Sequence, residues 1–153
     1  MSRARIYAAA VTLAALAVVV RMRKGGGLTD LDAAFKSKLQ RVFARLRRKG
    51  HRPILHEGIR TAAEQDELYA QGRTKPGAIV TWTTESSHET GRAADVLDGR
   101  VIPSGEHKGK TVMWGSYGDA TSERMAAEFF ADLGAAAKAE GLEWGGSWRT
   151  PDQ

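Results

Sequence analysis

Apolar side chains recur every three or four positions along residues 29–49, and this spacing predicts an amphipathic helix. Thr29 or Asp30 can cap its start, and Gly50 is placed to end it. The opposite face is strongly basic, with Arg41, Arg45, Arg47, Arg48 and Lys49. The apolar positions are Leu31, Phe35, Leu39, Val42, Phe43 and Leu46.

Shorter elements follow. Pro53 favours an extended entry into Ile54–Ile59, which we expect to be a strand. Thr61 and Glu64 form a capping box that opens a second helix, expected to end near Gly72. Further strand candidates are Ala78–Trp82 (AIVTW), Ala93–Leu97 (AADVL) and a short one at Val112–Trp114.

A last long helix is expected to begin at Thr121 or Ser122 and to end at Gly141, before GLEWGGSW. Its inward positions are Met125, Phe129, Leu133, Ala136 and Ala137. Strands and helices are mixed without regular βαβ alternation. The sequence therefore predicts an α+β fold, with a small, mainly antiparallel sheet flanked by helices.

The first 27 residues have a different pattern, in which fifteen uncharged and mostly apolar residues, Ile6–Val20, lie between basic residues and precede the linker Gly25–Gly27. As a helix they would span roughly 22 Å, less than the roughly 30 Å of a bilayer core. We expect a signal or anchor segment that places the remainder, 28–153, in the periplasm or cell wall, either exported or held at the inner membrane. Cleavage after Ala15–Ala17 and a buried cytosolic helix are the alternatives.

Charge is divided unevenly along the chain. Residues 1–52 hold 13 lysines and arginines against 2 acidic residues, whereas 53–153 hold 10 against 16. The basic part fits anionic lipid, an anionic cell-wall polymer or nucleic acid, or is simply a solvated helix face. No base-reading motif supports nucleic acid, so that partner is not expected. We expect a monomer.

The chain has no cysteine, so a metal site would need His, Asp or Glu ligands. His88 and Asp95 stand seven positions apart, with Gly91 between them to permit a tight bend. If 93–97 is a strand, Asp95 shares a face with Ala93 and Leu97, where a carboxylate is costly unless it is paired or metal-bound. A salt bridge to a nearby arginine would satisfy Asp95 equally well.

The stretch 86–95 matches S-x-H-x-x-G-x-A-x-D in full and resembles the signature of the LAS-type zinc peptidases of peptidoglycan. That family includes D-alanyl-D-alanine carboxypeptidases and the L-alanyl-D-glutamate endopeptidases of phage endolysins. Three more stretches resemble it in the same order: EGIRT at 57–61 with Gln65, GRTKPGAIVT at 72–81, and GLEWGGSW at 141–148, where Ser147 stands in place of the usual aspartate. The resemblance covers about residues 29–153.

The resemblance implies a zinc-dependent peptidase that cuts stem peptides, most plausibly at L-Ala–D-Glu and second at D-Ala–D-Ala. It makes His88 and Asp95 zinc ligands, and it makes Arg60 the holder of a substrate carboxylate or carbonyl oxygen. Gln65 would support the site by hydrogen bonding. Ser86 would position the loop that carries His88 or contact the substrate.

The third ligand is the gap in this resemblance. The family supplies it as the histidine of D-x-x-H, whose aspartate is the general base. Asp152 fits the aspartate, and the histidine would fall two positions past Gln153. The domain 28–153 is therefore expected to be incomplete, with weak zinc binding. His51, His56 and His107 are poor substitutes, and the alternative is an inactive, membrane-tethered wall-binding remnant.

Overall fold

The computed structural model describes residues 27–115 and 117–147, together with the backbone of Arg5–Tyr7. Arg5–Tyr7 form a short strand, β1. The predicted N-terminal apolar helix otherwise falls on residues 8–26, which lie outside the described residues. Among the described helices, none is long and apolar enough to cross a membrane.

The first long helix, α1, runs over Ala33–Arg48 and begins later than the sequence predicted. A turn of 3-10 helix at Leu28–Asp30 precedes it. The cap is Asp32, whose carboxylate accepts hydrogen bonds from the backbone N–H groups of Ala34 and Phe35 at 3.1 and 3.0 Å. Asp32 can take this role because the chain is extended at Leu31.

Two further helices flank the sheet. The predicted capping box of Thr61 and Glu64 is confirmed at the start of α2, Ala62–Ala70. The last helix, α3, spans Ala120–Ala139. Its cap is Asp119 rather than Thr121 or Ser122, since the Asp119 carboxylate accepts from both of those backbone N–H groups at 3.0 Å.

The central strand of the sheet is β3, Ala93–Val101. It pairs antiparallel with β2, Pro53–Glu57, and with β4, Thr111–Met113, so the predicted antiparallel arrangement is confirmed around it. Strand β1 pairs in parallel with β3 and with β5, Glu143–Trp144. Asp98 of β3 pairs with both β2 and β4, and Asp95 of β3 pairs with both β2 and β1. Strand β2 therefore occupies one edge of β3, and β1 and β4 lie one after the other along its opposite edge.

The predicted strand at Ala78–Trp82 is wrong, because this segment joins no ladder. Val80 and Trp82 expose 50% and 59% of their surfaces. Side chains of α2 and the following turn hold the segment instead: the Gln65 amide donates to the Thr83 carbonyl at 2.7 Å, and Arg73 donates to the Thr81 carbonyl at 3.0 Å. The β-branched run is therefore an exposed loop beside α2.

The core lies between α1, α3 and one face of β3. All six apolar positions predicted for the first helix region are buried there, as are four of the five predicted for the last; Met125 packs partly buried against a smaller cluster. The core members are Leu31, Phe35, Leu39, Val42, Phe43, Leu46, Ala94, Val96, Phe129, Leu133, Ala136, Ala137 and Leu142. This packing fixes α1 and α3 against one face of β3. The opposite face of β3 carries Asp95 and is left to the candidate site.

Candidate active site

A β-bulge in β2 brings two carboxylates together at the end of the β2–β3 ladder. Leu55 is opposite Val96, and Glu57 is opposite Asp95, so His56 is the extra residue on β2. Without the bulge, the antiparallel register would place His56 opposite Asp95. Directly opposed residues share a face of the sheet. The bulge therefore sets Glu57, and not His56, beside Asp95, where the charge of Glu57 acts on the Asp95 carboxyl group.

His88 lies in a tight turn immediately before β3. The Ser86 carbonyl accepts from the N–H of Glu89 at 3.0 Å, and the His88 carbonyl accepts from the N–H of Gly91 at 3.2 Å. Gly91 has φ of +65°, a conformation that suits glycine. A Cβ on Gly91 would lie 2.9 Å from the backbone nitrogen of Asp32, so the turn also packs tightly against the residues that open α1.

The His88 ring is buried, with 2% of the residue exposed, and its two nitrogens have different environments. Nδ1 lies 2.6 Å from the carbonyl oxygen of Gly58, which can only accept a hydrogen bond, so Nδ1 carries the proton. Nε2 then presents its lone pair and lies 3.8 Å from Oδ1 of Asp95. A histidine held through one nitrogen by a backbone carbonyl, with the other facing a carboxylate oxygen, has the orientation typical of a metal ligand.

Arg60 is held in a network of side chains next to this pair. Its Nε and Nη2 donate to the two carboxylate oxygens of Glu57, each at 2.8 Å, and its Nη1 donates to Oε1 of Gln65 at 2.6 Å. Gln65 is fully buried and anchored to the Thr83 carbonyl. The backbone N–H of Arg60 also donates to the His88 carbonyl at 3.2 Å. The guanidinium is therefore fixed in position relative to His88.

The electrostatics of the site favour a cation. Burial, reinforced by the negative charge of Glu57, raises the pKa of Asp95 to about 7, against the opposing charge of Arg60. Burial and the charge of Arg60 lower the pKa of His88, although its hydrogen bond to Gly58 opposes that shift. At neutral pH the imidazole is therefore the neutral form that a metal requires. The negative charge of Glu57 acts on Asp95 against the positive charge of Arg60, and a divalent ion bound at Asp95 would stabilise its ionised form.

The spacing of His88 and Asp95 was tested against zinc. Two ligands at zinc distances of about 2.0–2.2 Å in a tetrahedral shell lie about 3.3–3.5 Å apart. Nε2 and Oδ1, at 3.8 Å, would need to approach by only a few tenths of an ångström. These two residues fit zinc, but within the ranges 27–115 and 117–147 no three His, Asp or Glu side chains are grouped to hold a metal.

The structure brings together five of the six residues predicted for the site. Ser86 lies in the His88 turn, where its hydroxyl accepts from the His88 N–H at 3.3 Å, so its observed contact is within the loop. Asp152, the predicted general base, lies outside the described residues. Arg60, Gln65, His88 and Asp95 lie in the network described above.

The three other histidines are engaged elsewhere. His51 lies 2.7 Å from Asp132 of α3, and His107 lies 2.9 Å from the cap residue Asp119. His56 is exposed on the bulge, and its ring contacts Trp114 edge to face. None of them completes a metal group among the described residues.

Glu57 is a site residue that the sequence analysis missed. The motif EGIRT points to its arginine, and the glutamate three positions earlier carries no motif of its own. A signal was present, since a carboxylate at the end of a predicted strand, three residues before a candidate substrate-binding arginine, is placed to orient it. What the spacing could not reveal is the bulge that turns Glu57 toward Asp95.

Two comparisons with known proteins agree with this geometry. Residues 80–153 match the family described as D-alanyl-D-alanine carboxypeptidase. The chain is also 34% identical, over 127 residues, to the peptidoglycan L-alanyl-D-glutamate endopeptidase CwlK of Bacillus subtilis (strain 168). That alignment covers 79% of this chain and 68% of the Bacillus protein.

Proposed function

The chain belongs to the D-alanyl-D-alanine carboxypeptidase family of peptidoglycan peptidases, a family of zinc metallopeptidases, and we propose that it is itself a zinc-dependent endopeptidase that cleaves the L-Ala–D-Glu bond of stem peptides. The observation that carries the zinc proposal is the His88 ring, whose Nδ1 is held by the Gly58 carbonyl while Nε2 faces Asp95. The choice of bond follows the Bacillus relative, whose name specifies L-alanyl-D-glutamate.

In this proposal His88 and Asp95 supply two zinc ligands through Nε2 and a carboxylate oxygen. No third ligand joins them among the described residues, and outside those the sequence holds no histidine and only Asp152 as a carboxylate. Zinc in such a site lowers the pKa of a bound water and polarises the scissile carbonyl. The Gly58 carbonyl keeps the His88 ring in the ligand tautomer, which is the usual part of a backbone partner behind a zinc histidine.

Arg60 is proposed to hold a carboxylate or the carbonyl oxygen of the substrate. Stem peptides carry carboxylates, and a guanidinium presents its donors in a fixed plane that suits them. Glu57 and Gln65 orient that plane through three hydrogen bonds, so Arg60 would not need to be ordered when the substrate arrives. Glu57 is thus a positioning residue, and Ser86 supports the His88 turn.

Asp152 is proposed as the general base. It would take a proton from the attacking water and pass it to the leaving amine, which requires hydrogen-bond reach of about 2.6–3.2 Å. The proposal rests on the position of Asp152 after the GLEWGGSW block, in the place of the aspartate of D-x-x-H.

Residues 1–27 are proposed to carry the protein to or across the cytoplasmic membrane, where the peptidase would reach the cell wall, because Ile6–Val20 are apolar and are bounded by basic residues. Fusing residues 1–27 to a reporter tests this by cell fractionation. A reporter found only in the soluble cytoplasm would refute the proposal.

The activity is tested with a purified muramyl pentapeptide and the full chain supplied with zinc, with the products identified by mass. The proposal predicts a cut between L-Ala and D-Glu that stops when a chelator is added and resumes with zinc. Release of terminal D-Ala would instead support the second candidate, a D-Ala–D-Ala carboxypeptidase, which the family description favours. Cleavage that persists in chelator would contradict both.

A further inference from the structure

One flank of α1 carries four basic residues in line. Lys38, Arg41, Arg45 and Arg48 recur at spacings of three, four and three, which places them on one flank of a helix over about 15 Å of its length. We call this set the basic stripe. It lies away from the buried face of α1, which packs into the core.

The basic stripe lies beside the C-terminal end of α3, where Glu140 accepts hydrogen bonds from two arginines of the stripe. The Glu140 carboxylate accepts from Nε of Arg41 at 2.6 Å and from Nε of Arg45 at 3.0 Å. Only 9% of the Glu140 side chain is exposed, whereas Arg41 and Arg45 expose 55% and 46% of theirs. These hydrogen bonds, the one from Arg41 foremost, lower the pKa of Glu140, so the carboxylate is ionised at neutral pH.

The arginines line a shallow cavity of about 220 Å³ together with Ala44 and Glu140. The hydrogen bonds to Glu140 use Nε of Arg41 and Arg45, and Nη1 of neither arginine forms a hydrogen bond with it. Arg48 forms no hydrogen bond or ion pair with any of the residues that the structure describes. Three arginines thus line the cavity with one carboxylate, and guanidinium donors remain for another anion.

We infer that the basic stripe binds a linear phosphodiester polymer of the cell wall, with the guanidinium groups contacting successive phosphates. Three of the four cations are arginines, whose planar donors match phosphate oxygens. The choice of a wall polymer rests on the proposed function, which brings the enzyme to peptidoglycan. Such binding would hold the enzyme in the wall between cuts.

A lipid bilayer fits the basic stripe less well. Amphipathic helices that lie in the surface of a bilayer insert an apolar face into it. The apolar side chains of α1 are in the core, and the large exposed apolar residues in the described part of the chain, which are Ile54, Ile79, Val80, Trp82 and Val101, all lie outside α1. Nucleic acid shares the phosphates, but no aromatic side chain lines the cavity to stack on its bases.

The test measures binding of the full chain to a synthetic glycerol-phosphate oligomer, in parallel with phosphatidylglycerol vesicles and a single-stranded DNA of equal phosphate number. Arg41→Gln, Arg45→Gln and Arg48→Gln are combined in one variant. The control combines Lys36→Gln, Arg52→Gln and Arg124→Gln, which changes the net charge equally without touching the basic stripe. We expect the stripe variant to lose at least about tenfold in affinity and the control variant less than about twofold. The slope of log affinity against log salt concentration should fall by an amount equal to about two phosphate contacts, in the stripe variant alone.

Single substitutions keep the test decisive if the triple variant folds poorly. Arg48→Gln breaks no side-chain hydrogen bond or ion pair in the described part of the chain and should weaken binding more than Lys36→Gln. Glu140→Gln removes the competing carboxylate and should strengthen binding, whereas the equal charge change Glu106→Gln should not.

Equal losses in stripe and control variants would overturn the inference, and so would tighter binding to vesicles or DNA than to the oligomer. Hydrolysis of the phosphate-free muramyl peptide should be unchanged in the stripe variant, so failure of the binding site and failure of the peptidase proposal are separable.

Discussion

Glu57 lies directly opposite Asp95 across the β2–β3 ladder, and its carboxylate accepts hydrogen bonds from both Nε and Nη2 of Arg60. One glutamate thus connects the arginine proposed to bind substrate with the aspartate proposed to bind zinc. The bulge at His56 creates this relationship, because an unbroken ladder would bring the histidine to the same position.

Replacing Glu57 tests its positioning role. In Glu57→Gln, one carboxylate oxygen becomes an NH₂ group that faces the N–H donors of Arg60, so the two-bond contact is lost while the side chain keeps its size. We expect kcat/KM for stem peptide to fall about tenfold or more. The matched control is Glu67→Gln on the exposed part of α2, which should leave kcat/KM unchanged. Equal activity of the two variants would remove Glu57 from the site.

Arg60→Lys should impair catalysis more than folding. An ammonium group cannot donate at once to both oxygens of Glu57 and to Gln65 in the plane that the guanidinium occupies. We expect kcat/KM to fall about a hundredfold, with a decrease of only a few degrees in Tm. Peptide hydrolysis and thermal melting measure the two effects. A lysine variant with full activity would show that Arg60 does not act on the substrate.

The helices could be predicted from the sequence because their signals are local. The apolar spacing identified the buried face of α1, and the capping box at Thr61 identified the start of α2. The starts of α1 and α3 were misplaced because several neighbouring residues can cap a helix, and tertiary packing selected Asp32 and Asp119.

The pairing of strands could not be predicted in the same way. Ala78–Trp82 has the composition of a strand, but composition does not supply a partner, and Gln65 and Arg73 hold the segment through their side chains. The bulge at His56 depends on how β2 meets β3. For that reason His88 and Asp95 were identified from their motif, while Glu57 emerged only from the structure.

Gly91 should be far less tolerant of substitution than another glycine that also has a positive φ. Gly91 and Gly109 have φ of +65° and +88°, and a Cβ on Gly109 would meet no atom within 4 Å, whereas one on Gly91 would lie 2.9 Å from the nitrogen of Asp32. We expect Gly109→Ala to cost about 1 kcal/mol from strain alone, and Gly91→Ala to cost about 3 kcal/mol because the clash is added. Denaturant unfolding measures both, and similar costs would show that the turn does not pack on α1 as described.

Asp132 should stabilise the protein only above acidic pH. Hydrogen bonds from Lys49 and His51 lower the pKa of Asp132 below its ordinary value of 3.8. Because the folded pKa is the lower one, the stabilisation is complete above the ordinary value and is lost as the pH falls through the folded value. Asp132→Asn should therefore lower stability by about 1 kcal/mol at pH 6, and the difference from wild type should shrink as the pH falls below 3.8.

The control for that pH profile is Asp66→Asn, since Asp66 forms no hydrogen bond or ion pair with the described residues. Its stability should follow that of wild type at every pH. A difference between Asp132→Asn and wild type that is constant from pH 6 to pH 2 would contradict the assignment.

Zinc titration of the full chain by calorimetry shows whether His88 and Asp95 bind zinc, and it requires no knowledge of the substrate. Wild type is compared with His88→Ala and Asp95→Asn, and with His107→Ala as a histidine control outside the site. The account predicts that zinc binding by wild type and by His107→Ala is the same, and that each ligand variant loses at least about tenfold in affinity while its thermal melting shows that it is folded. Zinc affinity equal to that of wild type in folded His88→Ala or Asp95→Asn would contradict the account.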